Sequence, residues 1–168
     1  TFLLPSEKLP KLCAQYKFSN AEQKYNNVGR EIQNYKFGSE YESGGAGLIS
    51  CVDDYMKFAE ALREGETLLK RETIALMTTD RLTDHQKRTF PSRATYGYGL
   101  GLKCPKEGGE RTDFGWGGAA GAYLAVDMEN AITIYFSSHV HASPAQGIRS
   151  MLYRFVRAEL IDNSEFDE

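Results

Sequence analysis

The sequence predicts an α+β domain in which an antiparallel sheet packs against helices. Three observations carry this prediction: a helical period of apolar residues over 51–64, a change to alternating residues from Tyr96 onward, and a return to the helical period after Ser143. Together they predict two helices, three or four antiparallel strands and a terminal helix, a layered arrangement typical of α+β proteins.

The size and composition of the chain fit a single globular domain, because 41% of its 168 residues are apolar. Its formal charge of −3 comes from interspersed charges without a basic block, so nucleic-acid binding has little support. The apolar runs fall far short of the about 18 residues that a membrane span needs. We therefore expect neither nucleic acid nor a membrane among its partners.

The three cysteines, Cys13, Cys51 and Cys104, are odd in number and lack the spacing of a metal site. We expect three reduced thiols, which favours a cytoplasmic location. The chain begins at Thr1 without a signal-like segment, so we expect that its N-terminus was processed or cut from something longer. A periplasmic or secreted location stays open if a signal peptide lies in that absent part.

The first 42 residues show little periodicity. Ser6 is placed to cap a short helical turn, and turn-forming residues from Asn20 to Glu42 predict a long loop with room for one short hairpin. This pattern divides the chain into one domain portion, residues 1–162, and an acidic tail, residues 163–168. Within the portion, residues 1–42 form an N-terminal segment with the loop, and residues 43–162 hold the helices, the sheet and the terminal helix.

Two helices are predicted next. The first begins at Ser50 as N-cap, with Asp53 three residues on, and ends at Gly65. Its apolar face comprises Val52, Tyr55, Met56, Ala59 and Leu62. The second covers about 71–79 with Ile74 and Met77 inward, although Lys70 stands where a capping side chain is expected. Residues 80–94 are charged and uncapped, which predicts a mobile loop.

An antiparallel meander follows. Residues 96–102 alternate large residues with glycine, and residues 122–126 and 131–138 form two further strands joined by a turn at 127–130. The run Ser143-Pro144-Ala145-Gln146 predicts a capping box that opens the last helix. The apolar residues expected to face inward from this helix are Ile148, Met151, Leu152, Phe155 and Leu160.

The glycine-rich stretch 112–123 holds the only tryptophan of the chain, Trp116, and four glycines. Glycine inside a strand costs backbone entropy, so close approach of a ligand or of a second backbone is the usual reason for it. On an exposed edge, a substrate's backbone would lie alongside, and the N–H of Ala119 would face an oxyanion, worth roughly 3 kcal/mol. The alternative is a tight strand with Trp116 as a core aromatic residue.

The sequence contains few other motifs that indicate catalysis or metal binding. The sequence lacks Ser-x-x-Lys, Gly-x-Ser-x-Gly, His-Glu-x-x-His and a phosphate-binding glycine loop, and no cofactor is expected. His139 and His141 would point both rings to one side of a strand, as a metal pair does. Without a third ligand in view, the alternative is a solvated strand end, and we predict no metal site.

Four blocks of sequence, taken in order and spacing, resemble the C-terminal half of the serine β-lactamase-like family. The blocks are Ser43–Ser50 followed by Asp53, Tyr55 and Phe58, then Glu72–Met77, then Tyr96–Gly101, and then Phe114–Gly121. That family includes class C β-lactamases, penicillin-binding peptidases, D-aminopeptidases and β-lactamase-like carboxylesterases. The resemblance covers roughly residues 2–160, and it implies a β-lactamase-like fold that lacks the N-terminal strands and the helical subdomain.

The resemblance also assigns candidate site residues. Trp116-Gly117-Gly118 matches the family's third motif, usually Lys-Thr-Gly and often Trp-Gly-Gly in the esterase-like branch. Ala119 would then supply an oxyanion-hole N–H, and Ser138 and His139 would face the substrate. Trp116 lacks the positive charge of a lysine, which weakens the case for recognition of a β-lactam carboxylate.

The resemblance further implies what this chain does not do alone. The family's Ser-x-x-Lys and Tyr-x-Asn motifs belong to its N-terminal half, which we expect to lie outside this chain. We therefore expect an inactive C-terminal fragment of a hydrolase that acts through an acyl-serine on an ester, amide or β-lactam, with a small-molecule or peptide-like substrate. The alternatives are a non-catalytic binding or scaffolding module and a domain that binds peptides by strand addition.

The last strand, residues 131–138, would have an unpaired edge in such a fragment, because its family neighbour is the missing first strand. We expect the missing N-terminal half, a second copy or the displaced N-terminal segment to cover it.

Overall fold

The computed structural model describes residues 2, 4–29, 43–45 and 47–162, so the predicted acidic tail and residues 30–42 of the predicted loop over 20–42 lie outside the described residues. The described strands are β1 (Gln15–Ser19), β2 (Lys24–Gly29), β3 (Gly97–Tyr98), β4 (Lys103–Cys104), β5 (Phe114–Gly117), β6 (Ala122–Asp127), β7 (Ile132–Ser137) and β8 (Val140–His141). The described α-helices are α1 (Val52–Glu64), α2 (Arg71–Met77), α3 (Asp84–Thr89) and α4 (Gln146–Arg157). A short 3-10 helix covers Ser6–Lys11, and a π-helical turn, Ala158–Asp162, follows α4.

The main sheet is antiparallel and has the strand order β3-β4-β5-β6-β7. Trp116 of β5 lies opposite Leu124 of β6, and Leu124 in turn lies opposite Tyr135 of β7. The predicted meander is thereby confirmed, because its alternation of residues is a local signal that pairing between neighbouring strands preserves. Within the described part of the chain, β7 pairs with β6 alone and so forms an edge of the sheet.

A smaller sheet has the strand order β2-β1-β8. β1 and β2 form the short hairpin that the turn residues allowed, although it begins earlier than expected, at Gln15. β8 runs parallel to β1, with Tyr16 opposite Val140. Val140 also donates its N–H to the carbonyl oxygen of Ala120 at 2.8 Å, and this bond ties the small sheet to the end of the β5–β6 hairpin.

Helices cover both faces of the main sheet. One face packs Ala59 of α1 and Ile74 of α2 against a buried cluster on the strands, comprising Cys104, Phe114 and Val126. On the same face, the Tyr55 ring of α1 stacks on Tyr135 at 4.5 Å. Asp127 follows Val126 and points to the opposite face, where Tyr153 of α4 binds it.

The beginnings of α1 and α2 differ in part from the sequence prediction. α1 is capped by Cys51 without a side-chain hydrogen bond, and Ser50, the predicted N-cap, instead donates its hydroxyl to the Cys51 carbonyl oxygen at 3.4 Å. Gly65 ends α1 in the left-handed conformation, as expected. α2 begins after Lys70, which makes no side-chain cap, and buries Ile74. The first turn of α1 is open to solvent, so Val52 is 58% exposed and does not belong to the buried face of that helix.

The prediction of a mobile loop over residues 80–94 was wrong, because this segment contains α3. Thr83 caps this helix through a capping box: it accepts from the Gln86 N–H at 3.3 Å, and Gln86 Oε1 accepts from the Thr83 N–H at 3.0 Å. The Thr-x-x-Gln spacing that produces such a box was present in the sequence.

The predicted single strand over 96–102 was also wrong, because the chain turns between β3 and β4. Gly99 donates its N–H to the Leu102 carbonyl oxygen at 3.0 Å, and Gly101 has φ of +78°, a conformation that favours glycine. A Cβ at Gly99 would overlap the carbonyl oxygen of Met77. The glycines therefore serve a turn that passes close to the end of α2.

The start and the buried face of α4 differ from the prediction. The N-cap is Ala145 and not Ser143, it makes no side-chain cap hydrogen bond, and Ser143 Oγ accepts from the Ala145 N–H at 3.2 Å. The predicted capping box involves the Gln146 side chain, which lies outside what the structure describes, and stays a prediction. The apolar residues Ile148, Met151, Phe155 and Leu160 are exposed, and Leu152 is half-buried. The helix instead buries Tyr153, which is 1% exposed, because its hydroxyl finds polar partners on the sheet. The Ser6 turn likewise forms without a side-chain cap.

A buried carboxylate joins the β6–β7 turn, the start of β5 and α4. Asp127 Oδ2 accepts hydrogen bonds from Thr112 Oγ1 (2.6 Å), from Asn130 Nδ2 (2.7 Å) and from the Tyr153 hydroxyl. Asp127 Oδ1 accepts the N–H groups of Glu129 and Asn130 at 3.0 Å each. Burial would raise the pKa of Asp127, but these side-chain hydrogen bonds outweigh it and lower that pKa.

None of the described helices is long and apolar enough to cross a membrane. The three cysteines are free, with Cys104 buried and the other two exposed.

We expect Asp127→Asn to lower the free energy of unfolding by about 2–4 kcal/mol at pH 7, because an amide cannot accept all five of these hydrogen bonds. The native carboxylate has a lowered pKa, so its stabilising effect is complete above its unfolded pKa and is lost as the pH falls through the folded pKa. The difference between the two proteins should therefore shrink as the pH is lowered below 3.8, the ordinary pKa of an aspartate, measured by urea unfolding followed by circular dichroism. Glu129→Gln is the matched control, since only its backbone binds Asp127. Equal loss of stability in both variants would contradict this role.

Two glycines of β5 should respond oppositely to alanine. Gly115 has φ of +154° and an added Cβ would overlap the Leu124 carbonyl oxygen, so Gly115→Ala should cost about 3 kcal/mol or more. At Gly117 an added Cβ would lie 3.6 Å from the Ala122 carbonyl oxygen and 3.9 Å from an Arg149 guanidinium nitrogen, both ordinary contacts. Gly117→Ala should therefore change stability by less than about 1 kcal/mol in the same unfolding experiment. The close approach of β5 to β6 would be refuted if both variants were equally stable.

Candidate substrate-binding site along β5

The outer edge of β5 is open over most of its length. β4 pairs with β5 only at Lys103 opposite Gly115, and within the described residues Trp116 and Gly117 pair with β6 alone. Trp116 is 45% exposed, so it is not part of the core that the described residues form. Its ring meets Tyr98 edge-on at a centroid distance of 5.7 Å. An extended backbone can add to such an edge.

The predicted oxyanion donor, Ala119, lies in the turn that joins β5 to β6. Gly118 donates its N–H to the Ala122 carbonyl oxygen (2.8 Å), and Gly121 donates to the Gly118 carbonyl oxygen (3.1 Å). Arg149 of α4 donates to the same two carbonyl oxygens, at 2.6 Å to Gly118 and 2.9 Å to Ala122. The turn is therefore fixed from both sides, and Ala119 is exposed at its tip. Its role as oxyanion donor stays a prediction.

The structure brings Ser138 and His139 next to this turn. Ser138 donates its N–H to the Gly121 carbonyl oxygen at 3.3 Å, and Ser138 is exposed. A Cβ on Gly121, which has φ of +91°, would overlap Ser138 Oγ. The two predicted groups, the glycine turn and the residues after the last long strand, thus meet at one end of the sheet. Their contact with a substrate stays a prediction.

His139 and His141 do not form the solvated strand end that we weighed as an alternative. Both are half-buried where β8 pairs with β1, and Gln15 Nε2 donates to His139 Nε2 at 3.0 Å. Burial lowers the pKa of His139. No group of three or more histidine, cysteine, aspartate or glutamate residues in the described part of the chain could hold a metal ion.

A cavity of about 120 Å³ lies beside β5. Its walls come from β4, β5, β6 and α4, together with Tyr96 and Asp113. Its lining residues are Tyr96, Lys103, Asp113, Gly115, Trp116, Gly117, Tyr123, Leu124 and Arg149. The glycines of β5 contribute no side chains here, so their backbone forms part of the wall.

The acidic group of this cavity, Asp113, is almost fully buried, at 2% exposure. Tyr96 donates its hydroxyl to Asp113 Oδ2 at 2.8 Å, and Arg111 lies 3.7 Å from Oδ1. Burial raises the pKa of Asp113 to about 6, although the Tyr96 hydrogen bond and Arg111 act against it. Perturbed carboxyl groups in clefts are typical of functional sites. Sequence reasoning missed Asp113, whose only signal was its place directly before the glycine-rich strand.

The basic groups of the cavity, Lys103 and Arg149, were missed as well. Lys103 Nζ lies 5.5 Å from the centroid of the Trp116 ring and 5.8 Å from that of Tyr96. Burial lowers the pKa of Lys103, and repulsion from Arg149 lowers it further. Nothing in the local sequence marks either residue, because β4 and α4 bring them to β5 from distant positions in the chain.

One tripeptide of the chain, Tyr25-Asn26-Asn27, does match the Tyr-x-Asn pattern that we expected only outside it. It lies on β2, the outer strand of the small sheet, with β1 between it and β8. Tyr25 is 49% exposed and contacts Phe18 at a ring-centroid distance of 5.0 Å. The structure therefore places this tripeptide on a surface hairpin and not beside the glycine turn.

The described residues provide an open strand edge, a turn held by hydrogen bonds from Arg149, and a cavity lined by aromatic and charged side chains. Groups of this kind bind and orient a substrate and stabilise developing charge.

Comparison with known proteins places this geometry in a family. Two proteins of Mycobacterium tuberculosis, the uncharacterized protein MT1414 of strain CDC 1551 and protein Rv1367c of strain H37Rv, are each 34% identical to this chain in a match that covers 58% of the chain and 29% of the relative. The simvastatin synthase LovD of Aspergillus terreus, as the LovD6 mutant, aligns with a TM-score of 0.69 at 18% identity, over 98% of this chain and 46% of that chain. Unliganded LovD aligns with a TM-score of 0.67 at 17% identity, over 92% and 43% of the two chains.

The chain thus spans less than half the length of these relatives. The similarity to LovD shows that this α+β sheet with its helices has a β-lactamase-like fold, as predicted. The family model described as Beta-lactamase matches residues 12–156, and the chain therefore belongs to the β-lactamase family.

Proposed function

We propose that this chain forms the substrate-binding wall of a serine hydrolase active site, in a protein whose nucleophile and base lie outside these residues. The observation that carries the proposal is the open edge of β5 at Trp116 and Gly117, which ends in the turn that holds Ala119. An extended substrate backbone would pair with this edge and place its carbonyl carbon near the turn.

The proposed reaction is hydrolysis of an ester, amide or β-lactam through an acyl-serine. The serine oxygen attacks the carbonyl carbon while its proton passes to the base, the carbonyl oxygen becomes an oxyanion, and the N–H of Ala119 donates to it. The oxyanion then collapses, the bond to the leaving alcohol or amine breaks with return of the proton to that group, and water hydrolyses the acyl-serine to release the acid. The chain's part is to bind, orient and stabilise charge. Membership of the β-lactamase family supports this assignment.

We expect the intact protein to turn over a chromogenic ester or a chromogenic cephalosporin, and the 168-residue chain alone to turn over neither. In the intact protein, Ala119→Pro removes the N–H and should lower kcat by about 10²–10³. Ala119→Gly keeps the N–H and is the matched control, with kcat close to the native value. Full activity of the proline variant would refute the role of Ala119. Absence of turnover of both substrates by the intact protein would favour the alternative, a binding or scaffolding module.

We also propose that the remainder of the domain covers two surfaces of this chain, the outer edge of β7 and the apolar face of α4. Within the described residues β7 pairs on one side only. On α4, Ile148 and Phe155 are 53% and 58% exposed, at a spacing of two helical turns. The share of LovD that this chain matches, 46%, leaves room for such a covering part. A second copy of the chain is the other occupant that this edge and face would accept.

The isolated chain should therefore self-associate in size-exclusion chromatography with light scattering. Phe155→Glu should raise the monomer fraction because it charges the exposed apolar face, whereas Arg154→Glu, on an exposed neighbouring position, should not. A clean, soluble monomer at all concentrations would contradict the proposed covering.

A further inference from the structure

We propose that the Lys103 amine is a nucleophilic site that takes an aryl aldehyde as a reversible imine, with the ring of the aldehyde held in the cavity beside β5. This proposal goes beyond the proposed function, because it needs neither an acyl-serine nor any residue outside the described part of the chain.

The first support is the lack of a polar partner for the Lys103 amine. Among the described residues, Nζ makes no hydrogen bond or ion pair, and its contacts are the faces of the Tyr96 and Trp116 rings. Lys106, the other half-buried lysine of the described residues, instead donates from Nζ to two backbone carbonyl oxygens, at 2.7 and 2.9 Å. The Lys103 nitrogen is therefore not engaged by any described polar group and is open to an electrophile.

The second support is the charge around this amine. Burial lowers the pKa of Lys103 and repulsion from Arg149 lowers it further, whereas Asp113 acts in the opposite direction. Asp113 is itself bound by the Tyr96 hydroxyl at 2.8 Å and lies 3.7 Å from Arg111. A lysine that is withdrawn from water beside another cation has a larger neutral fraction near pH 7, and the neutral amine is the form that attacks a carbonyl carbon.

The third support is the space beside the amine. The cavity has a volume of about 120 Å³, and the rings of Tyr96, Trp116 and Tyr123 form part of its wall. An engineered apolar cavity of about 150 Å³ binds benzene, so a single aromatic ring is a group of suitable size. Lys103 Nζ lies 5.8 and 5.5 Å from the centroids of the Tyr96 and Trp116 rings. An aldehyde carbon on a ring that packs against these two residues would therefore lie beside the amine.

The proposed step is condensation of one amine with one aldehyde. The neutral Lys103 nitrogen forms a bond to the aldehyde carbon, the carbonyl oxygen takes a proton, and the nitrogen loses one, which gives a carbinolamine. The carbon–oxygen bond then breaks, the hydroxyl leaves as water with a second proton, and loss of the last nitrogen proton leaves the imine. One water is released, and no oxidant or reductant is consumed.

Reductive labelling of the intact protein with benzaldehyde and cyanoborohydride tests this proposal. The reductant adds hydride to each imine and leaves a stable benzyl amine, which peptide mass mapping assigns to a lysine. At pH 7, Lys103 should be labelled at least about tenfold faster than Lys70, an exposed lysine, and than the hydrogen-bonded Lys106. The rate at Lys103 should saturate as the benzaldehyde concentration rises, because the ring binds before the bond forms, whereas the rate at Lys70 should rise in proportion. The pH of half-maximal labelling should be lower for Lys103 than for Lys70.

A variant of the cavity wall tests whether the ring is bound there. Trp116→Leu keeps the amine but removes one aromatic face, so it should abolish saturation and lower the labelling rate of Lys103 about fivefold. Tyr25→Leu, which removes an exposed ring on the β2 hairpin, is the matched control and should leave the labelling of Lys103 unchanged. Circular dichroism of each variant checks that the fold is intact.

Equal labelling of Lys103 and Lys70, a rate at Lys103 that rises without saturation, or saturation that survives Trp116→Leu would each overturn the proposal. The labelling is measured without any turnover of an ester or a β-lactam. A protein that hydrolyses an ester but labels Lys103 no faster than Lys70 would retain the proposed function and lose the aldehyde site.

Discussion

The arrangement of the site depends on the buried carboxylate of Asp127. Two backbone N–H groups and three side chains donate to it, and these donors come from the β6–β7 turn, from the approach to β5 and from α4. Because Tyr153 holds α4 to the sheet in this way, Arg149, four residues earlier on the same helix, reaches the carbonyl oxygens of the glycine turn. The position of the turn thus follows from a hydrogen-bond network at the other end of the β5–β6 hairpin.

Close backbone packing is the second condition for the site. Gly115 allows β5 to approach β6 where any Cβ would meet a carbonyl oxygen. Gly117, by contrast, has space for a side chain, so the fold does not require glycine there. Its lack of a side chain instead leaves the cavity and the open edge of β5 more accessible. Two glycines two residues apart therefore serve different purposes, which their identical chemistry does not distinguish in the sequence.

Much of the main sheet was predictable because the pairing of β5, β6 and β7 preserves local alternation and a four-residue turn. The left-handed end of α1 at Gly65 was equally local. The buried face of α4 was not predictable in this way, because the most apolar residues of the helix are exposed. Tyr153 is buried instead, since its hydroxyl donates to Asp127 on a strand that is distant in the sequence. Lys103, Asp113 and Arg149 lie close together only after β4, β5 and α4 have packed against one another. No spacing of residues in the sequence therefore indicates that they form one site. The capping box of α3 is a different case, since Thr83 and Gln86 carried the signal and it was overlooked.

The position of Trp116 also has a spectroscopic consequence. It is the only indole of the sequence, its ring touches Tyr98 and a lysine ammonium, and almost half of its surface meets solvent. Its intrinsic emission is therefore sensitive to changes in polarity and charge at one strand edge, whereas the ten tyrosines of the sequence include residues both at this edge and far from it. The protein carries its own fluorescent probe at the place where a ligand would arrive.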